Sequence, residues 1–201
     1  IMESSARKSA AVSRMISIFR SLSRQISADM TCENTVAIAA PSTPECRPKM
    51  KMQLNTMFTT VEVMIAKNGV SGIREIAFTG QAESLVVVGA DGKPLMNAIS
   101  WMDERSVKEC EELAEKFTSK EIEAVTGQMA VLPTWPATKI LWLKSNRPEI
   151  YDNAATYMML KDFVVYKLTG KKVADMSIAT FTFYFDIYEK KYWAKMLDAI
   201  G

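Results

Sequence analysis

At 201 residues and 22.5 kDa the chain is long enough for one domain or one large lobe of a bigger protein. Its 48% hydrophobic and 24% charged residues exclude wholesale disorder and low-complexity fibre. The 25 Lys and Arg against 23 Asp and Glu leave only +2, so no general field marks a nucleic-acid binder.

The absence of histidine removes Ser-His-Asp triads, Cys-His pairs and His-liganded zinc from this chain. Cys32, Cys46 and Cys110 are odd in number and far apart, so a disulfide framework or zinc ribbon is not expected and a reducing, cytoplasmic setting is. No apolar run has the length to span a bilayer, and no membrane partner is expected. The eight glycines form neither GxxxxGK nor GxGxxG.

In chain order, the first 28 residues are basic and serine-rich: Arg7, Lys8, Arg14, Arg20 and Arg24 face one acid, Glu3. Such a segment invites a transit-peptide reading. Its apolar residues suit a helix, whereas 12–19 would also suit a short strand, and the pattern does not choose between them. Residues 39–48 hold three of the seven prolines and read as a loop. A helix is predicted over 50–68, with Gly69 at its carboxyl end. Strands are predicted over 74–79 and 83–90, the second running into Asp91-Gly92, a dipeptide suited to the positive φ of a tight hairpin, with the return strand over 95–101.

Residues 104–117 predict an amphipathic helix with Val107, Cys110, Leu113, Ala114 and Phe117 on its apolar side. Thr118 and Glu121 match a capping box for a helix ending near Gly127. Pro136 suits the first turn of a helix running to 145, and Pro148 punctuates the chain. A strand over 156–160, a helix over 161–168 closed by Gly170, a strand over 181–185 and a helix over 191–200 complete the pattern. Helices and strands are mixed throughout, an α/β or α+β class.

Three polar clusters fall at predicted strand ends, where α/β sheets place ligand sites. They are Gln81 with Glu83 and Ser84; Trp101 with Asp103 and Arg105; and Lys161-Asp162 with Asp175 and Ser177. Amides, carboxylates and an indole wall suit a polyol, whose hydroxyls need donors and acceptors and whose carbon edges need an apolar surface. Each cluster also has a structural explanation. Trp101 suits rim packing, Asp103 with Arg105 and Lys161 with Asp162 suit helix starts, and Glu83 suits a solvated strand. On composition and spacing alone these structural explanations are favoured. The 14 methionines are spread from Met2 to Met196 and read as core filler.

Taken together and in order, the stretches IREIAFTGQAESLVVVGADGKPLMNAISWMDER, TWPATKILWLKSNRPEIY and MMLKDFVVYKLTGKKVADMSIATFTFYFDIYEKKYW resemble the amino-terminal half of the FGGY family of carbohydrate kinases, most closely its xylulose-kinase-like members. The motifs are a GQ turn, a hairpin, a W-x-D-x-R site, a lysine-and-tryptophan helix and a K-D…L-T-G run followed by x-D-x-S. The resemblance implies an α/β fold: an actin-like, ribonuclease-H-like lobe, a mixed sheet with flanking helices, incomplete here. It implies a sugar cleft facing a second, ATP-binding lobe. Carried over, the substrate-binding residues are Gln81, Glu83, Trp101, Asp103, Arg105 and Thr134. Xylulose kinases commonly have Met-His where this chain has Ala82-Glu83, and glycerol kinases have Arg-Glu. Thr134 falls where glycerol kinases place a substrate-contacting tyrosine, and Ser145 is a further departure.

The family's opening D-x-G-T-T, which serves magnesium and phosphates, has no counterpart in residues 1–11. Residues 12–27 resemble the next hairpin with Arg20 and Ser23 at usual aspartate and glycine positions, and Glu45-Cys46-Arg47-Pro48 resembles E-Q-D-P. The expected organisation is therefore a degraded strand and hairpin region over 1–33, a sugar-binding lobe over 34–201, and an ATP-binding lobe not included.

The resemblance implies a parent that phosphorylates a hydroxyl of a small sugar or polyol with ATP and Mg2+. No catalytic residue, metal ligand or assignable cofactor contact is expected in this chain, which by itself is expected to be inactive and to bind no ATP or Mg2+. The partner is a small sugar, with a homodimer compatible and no nucleic acid expected. A rival reading is a non-catalytic sugar-binding or protein-docking module derived from that fold. Last ranks a basic targeting or nucleic-acid arm at the amino terminus.

Overall fold

A computed structural model describes residues 77, 78, 80 and 82–201. The chain divides into two units, Ile1–Ala77 and Phe78–Gly201, and the described residues lie almost wholly in the second. The expectations for the amino-terminal segment, the 39–48 loop, the 50–68 helix and Gln81 fall outside the described residues, as do four of the six residues of the 74–79 strand.

Strand β1 (Leu85–Val88) is buried along its whole length, which explains its unbroken run of Leu and Val. It pairs antiparallel with β2 (Thr156–Met159), with Leu85 opposite Met159 and Val88 opposite Thr156. On its other side the returning chain makes two isolated bridges, Val88 to Pro94 and Leu85 to Ile99. The expected strand over 95–101 is therefore not continuous. Two residues of β1 separate the bridges against four on the return arm, and Pro94 has no amide to donate.

The turn differs from a two-residue hairpin in the same way. Gly89 donates to the Lys93 carbonyl at 2.9 Å, enclosing Ala90, Asp91 and Gly92. Among these only Gly92 takes a positive φ, +77°. This is a three-residue loop closed by a left-handed glycine.

Helix α1 (Val107–Lys116) starts after Ser106 and buries Cys110 and Leu113, with Phe117 buried at its end. Val107 and Ala114, placed on the apolar side by periodicity, are exposed. The buried face is turned instead onto Glu109, 2% exposed. One Glu109 oxygen accepts from the Asn146 amide at a long 3.4 Å, and the other has no hydrogen-bond partner among the described residues. Burial, and next the repulsion of Glu112, hold its carboxyl above the ordinary 4.5. A raised carboxyl means that the folded state holds its proton to higher pH than the unfolded chain, so stability falls as pH rises through that window. Glu109→Met is expected to stabilise the protein by about 1–2 kcal/mol at pH 7. The gain should fade as pH falls through the folded-state value, as read from urea midpoints across pH.

Helix α2 (Ser119–Thr126) opens with Thr118 accepting from the Glu121 amide at 3.2 Å and closes on Gly127 at φ +71°, as the sequence predicted. The Glu121 side chain does not complete the box; it accepts from Lys195 Nζ at 2.5 Å.

Helix α3 (Pro136–Asn146) buries almost its whole first two turns, from Pro136 to Leu141 and then Leu143, so it reads as a central helix rather than a surface one. It packs on α1, on α4 (Pro148–Tyr151), on the 3-10 turn Thr180–Thr182 and on α7 (Ala194–Ile200). Helix α5 (Leu160–Thr169) follows β2 directly and ends on Gly170 at φ +72°.

Helix α6 (Met176–Ala179) runs into the 3-10 turn, which takes up the start of the predicted strand over 181–185 and leaves only Phe185 of it in a strand. Thr180 and Thr182 donate their hydroxyls to the Ser177 and Ala179 carbonyls at 2.7 Å each, local bonds that compete with a strand ladder. Phe183 then takes a left-handed φ of 68°. Its ring, 0% exposed, stacks on Trp135 at 5.7 Å and 8°. A short pair, β3 (Phe185–Asp186) and β4 (Lys191–Tyr192), follows. The extended β4 and the Trp193 amide's bond to the Tyr184 carbonyl delay the last helix to Ala194.

Candidate functional site

The loop 100–105 leaves the return arm of β1 and is built by its own side chains. Ser100 Oγ accepts from the Met102 amide at 3.3 Å, and the Ser100 carbonyl accepts from the Asp103 amide at 3.1 Å. Asp103 Oδ1 accepts from the Arg105 amide at 3.0 Å, a turn in which a carboxylate replaces a backbone acceptor. The Arg105 guanidinium grips both carboxylate oxygens, Nε to Oδ1 at 2.8 Å and Nη2 to Oδ2 at 2.7 Å, and lies over the Trp142 ring at 4.8 Å. Burial pushes the Asp103 carboxyl up, but the Arg105 bonds and charge outweigh it and hold it below the ordinary 3.8. Trp101, 42% exposed, makes no ring contact with another described residue.

The second loop enters α3. Thr134 donates its hydroxyl to Glu83 Oε2 at 3.0 Å, joining two residues 51 apart in the chain. Trp135 caps α3 from an extended backbone and donates its indole N–H to the Ala130 carbonyl at 3.0 Å. Beneath both loops, the Ser106 and Thr138 hydroxyls bond each other at 2.9 Å, with Thr138 also bonding the Trp135 carbonyl at 2.8 Å.

Between the loops lies Lys139, 0% exposed. Its ammonium donates to the Ser100 carbonyl at 2.8 Å and to the Thr134 carbonyl at 2.9 Å. Burial lowers its pKa to about 8, against the opposing pull of Asp103 and then Glu83. The sequence reading places this lysine only in the lysine-and-tryptophan helix and not among the site residues, and it does not single out Trp142 beneath Arg105. The signal was present: Lys139 stands four residues after Trp135 and four before Leu143, a charge on an otherwise apolar helical face.

Of the six predicted site residues, the structure brings Glu83 to Thr134 and Asp103 to Arg105, with Trp101 on the same loop as the latter pair. Gln81 lies outside the described residues. The third cluster is local. Asp175 caps α6 by accepting from the Ile178 amide at 3.0 Å and the Ser177 hydroxyl at 2.5 Å, and Lys161 pairs with Asp175 and, at 3.5 Å, with Asp162. Its structural explanation is sufficient.

Cys110 is buried, and burial raises its thiol to about 11, which leaves it inert as a nucleophile or ligand. Among the described residues no three Asp, Glu, Cys or His side chains converge as metal ligands. No helix among the described residues is long and apolar enough to cross a membrane.

Residues 12–201 match the N-terminal domain of the FGGY family of carbohydrate kinases. A xylulose kinase of Lactococcus lactis is 35% identical over 148 residues, which is 74% of this chain and 29% of that protein. A glycerol kinase of Bacillus subtilis is 30% identical over 73% of this chain and 31% of its own length. Among solved structures, a xylulose kinase from Brucella ovis matches with a TM-score of 0.67 at 27% identity, over 75% of this chain and 31% of that one. The Plasmodium falciparum glycerol kinase with ADP matches with a TM-score of 0.65 at 27% identity, over 76% and 32%. The chain thus spans about a third or less of the relatives it matches, and its structural neighbours are sugar kinases of the actin-like fold. A match over nearly the whole sequence, with relatives at this identity, makes the chain a member of the FGGY family of carbohydrate kinases, in the region of that family's N-terminal domain.

Proposed function

We propose that this chain is the acceptor lobe of an ATP-dependent kinase that phosphorylates a hydroxyl of a small sugar or polyol of the xylulose type. The observation that carries this reading is the meeting of two polar pairs, Glu83 with Thr134 and Asp103 with Arg105, around one buried lysine beside the exposed face of Trp101. Carboxylate oxygens accept from sugar hydroxyls, the guanidinium and Thr134 donate, and the indole covers the carbon edge. Xylulose and glycerol kinases among the relatives favour such a substrate, and a neighbour holding ADP favours a nucleotide phosphoryl donor for the whole protein. A cytoplasmic setting follows from that metabolic reading.

Phosphoryl transfer needs metal, triphosphate and a base positioned together. The described residues supply no metal cluster, and we assign them no base. The acceptor-lobe reading places the base and the nucleotide site outside this lobe, and on that reading the 201-residue chain alone is expected to bind sugar weakly and to turn over no ATP. Titration with D-xylulose and with glycerol, followed by amide and indole NMR signals, should move Trp101, Asp103 and Thr134. Absence of any shift at saturating sugar would sink the acceptor-lobe reading, and sugar-dependent ADP release would sink the inactivity of the isolated chain.

A further inference from the structure

We propose that Lys139 is a positioning residue for the acceptor site: its single ammonium ties the loop that carries Trp101, Asp103 and Arg105 to the loop that carries Thr134 and engages Glu83, setting the width of the sugar site between them. The sugar part of this inference rests on the acceptor-lobe reading above; the clamp itself does not.

Both bonds run to backbone carbonyls rather than to side chains, Ser100 O at 2.8 Å and Thr134 O at 2.9 Å. A carbonyl contact fixes the path of the chain whatever rotamer the neighbouring side chain adopts. Ser100 immediately precedes Trp101, and Thr134 is itself the residue that donates to Glu83 at 3.0 Å. The stem of Lys139 leaves the middle of α3, whose first two turns are buried, so the ammonium is presented from a rigid element. The charged groups facing it are Asp103 and Glu83, which attract it, and Arg105, which repels it. Burying a lysine costs stability unless it is compensated, and its lowered pKa shows that the compensation is partial. Replacement by an apolar side chain would leave both carbonyls without this donor.

Removing the charge and removing the donors are separable. Deprotonation leaves an amine that still donates to two carbonyls, but takes away the attraction for Asp103 and Glu83. Substitution by methionine, of similar length, takes away both.

In the 201-residue chain, Lys139→Met is expected to speed amide hydrogen exchange at Asp103, Arg105 and Trp135 at least tenfold while leaving α2 unchanged, and to weaken D-xylulose binding at least tenfold. Wild-type affinity should fall as pH rises through about 8, and the variant should show no such step. Unchanged exchange, affinity and pH profile would overturn the role of Lys139 and leave the acceptor-lobe reading intact. Faster exchange with no sugar bound by either protein would uphold the clamp and sink the acceptor-lobe reading. Should the variant not fold, the wild-type ammonium decides. A resonance protected from solvent exchange at pH 7 supports the clamp, and one exchanging as freely as surface lysines overturns it.

Discussion

Phe183→Ala is expected to lower the free energy of unfolding by about 3–5 kcal/mol, the cost of removing a fully buried aromatic ring that its surroundings cannot close over. The ring is wholly buried and stacked on Trp135, which caps the helix carrying Lys139. Its backbone sits at φ 68°, a conformation that costs a side chain with a Cβ about 1–2 kcal/mol. Two opposed terms therefore meet at one residue: packing favours phenylalanine, and the backbone favours glycine. Phe183→Gly should accordingly be no worse than Phe183→Ala and about 1 kcal/mol better, the reverse of the usual order at a buried position. Urea unfolding of the two variants gives both numbers. A loss under about 1 kcal/mol for alanine would mean that the ring does not brace Trp135, and a glycine variant weaker than alanine would mean that the backbone term is small.

Asp103→Asn has its largest expected effect on the site rather than on the fold. Asparagine keeps the oxygen that accepts from the Arg105 amide, so the turn should persist, but the charge that holds the guanidinium and opposes the desolvation of Lys139 is lost. The Lys139 ammonium should then titrate below its value of about 8, and D-xylulose binding should weaken by about tenfold, or about 1.4 kcal/mol. An unmoved Lys139 midpoint would show that the two charges do not feel each other. The same carboxylate has a pH signature in the wild type. Held below 3.8 in the folded state, it contributes stability that is present above the unfolded value and lost as pH falls through the folded one. Asp103→Asn should flatten that acid limb.

The family and the Asp103–Arg105 pair were legible because they depend on local sequence order: W-x-D-x-R places the two residues where a carboxylate can both close a turn and grip the guanidinium, whereas the Glu83–Thr134 pair, 51 residues apart, was not. The caps at Thr118, Gly127 and Gly170 were legible for the same reason. What failed was decided by partners far along the chain or by competition between local bonds. Val107 has the right period but faces solvent, while Glu109 is turned in against α3, and no period reports which of two adjacent arcs a neighbour will cover. The 181–185 run has strand composition, yet two threonine hydroxyls bond back to the preceding turn. The return arm reads as a strand until two extra residues and a proline break its register. Lys139 carries a signal, a charge on an otherwise apolar helical face, but lysine in a helix is usually solvated, and its burial here is decided by two loops far along the chain.

Helix α3 carries the Lys139 contacts to both loops, the Trp142 ring under Arg105 and the Thr138 hydroxyl under Ser106, and it begins beside the threonine that engages Glu83. A single helix thus serves as the common mount for both loops of the site. A change in the path of that helix would therefore displace the Asp103 loop and the Thr134 loop together rather than one at a time.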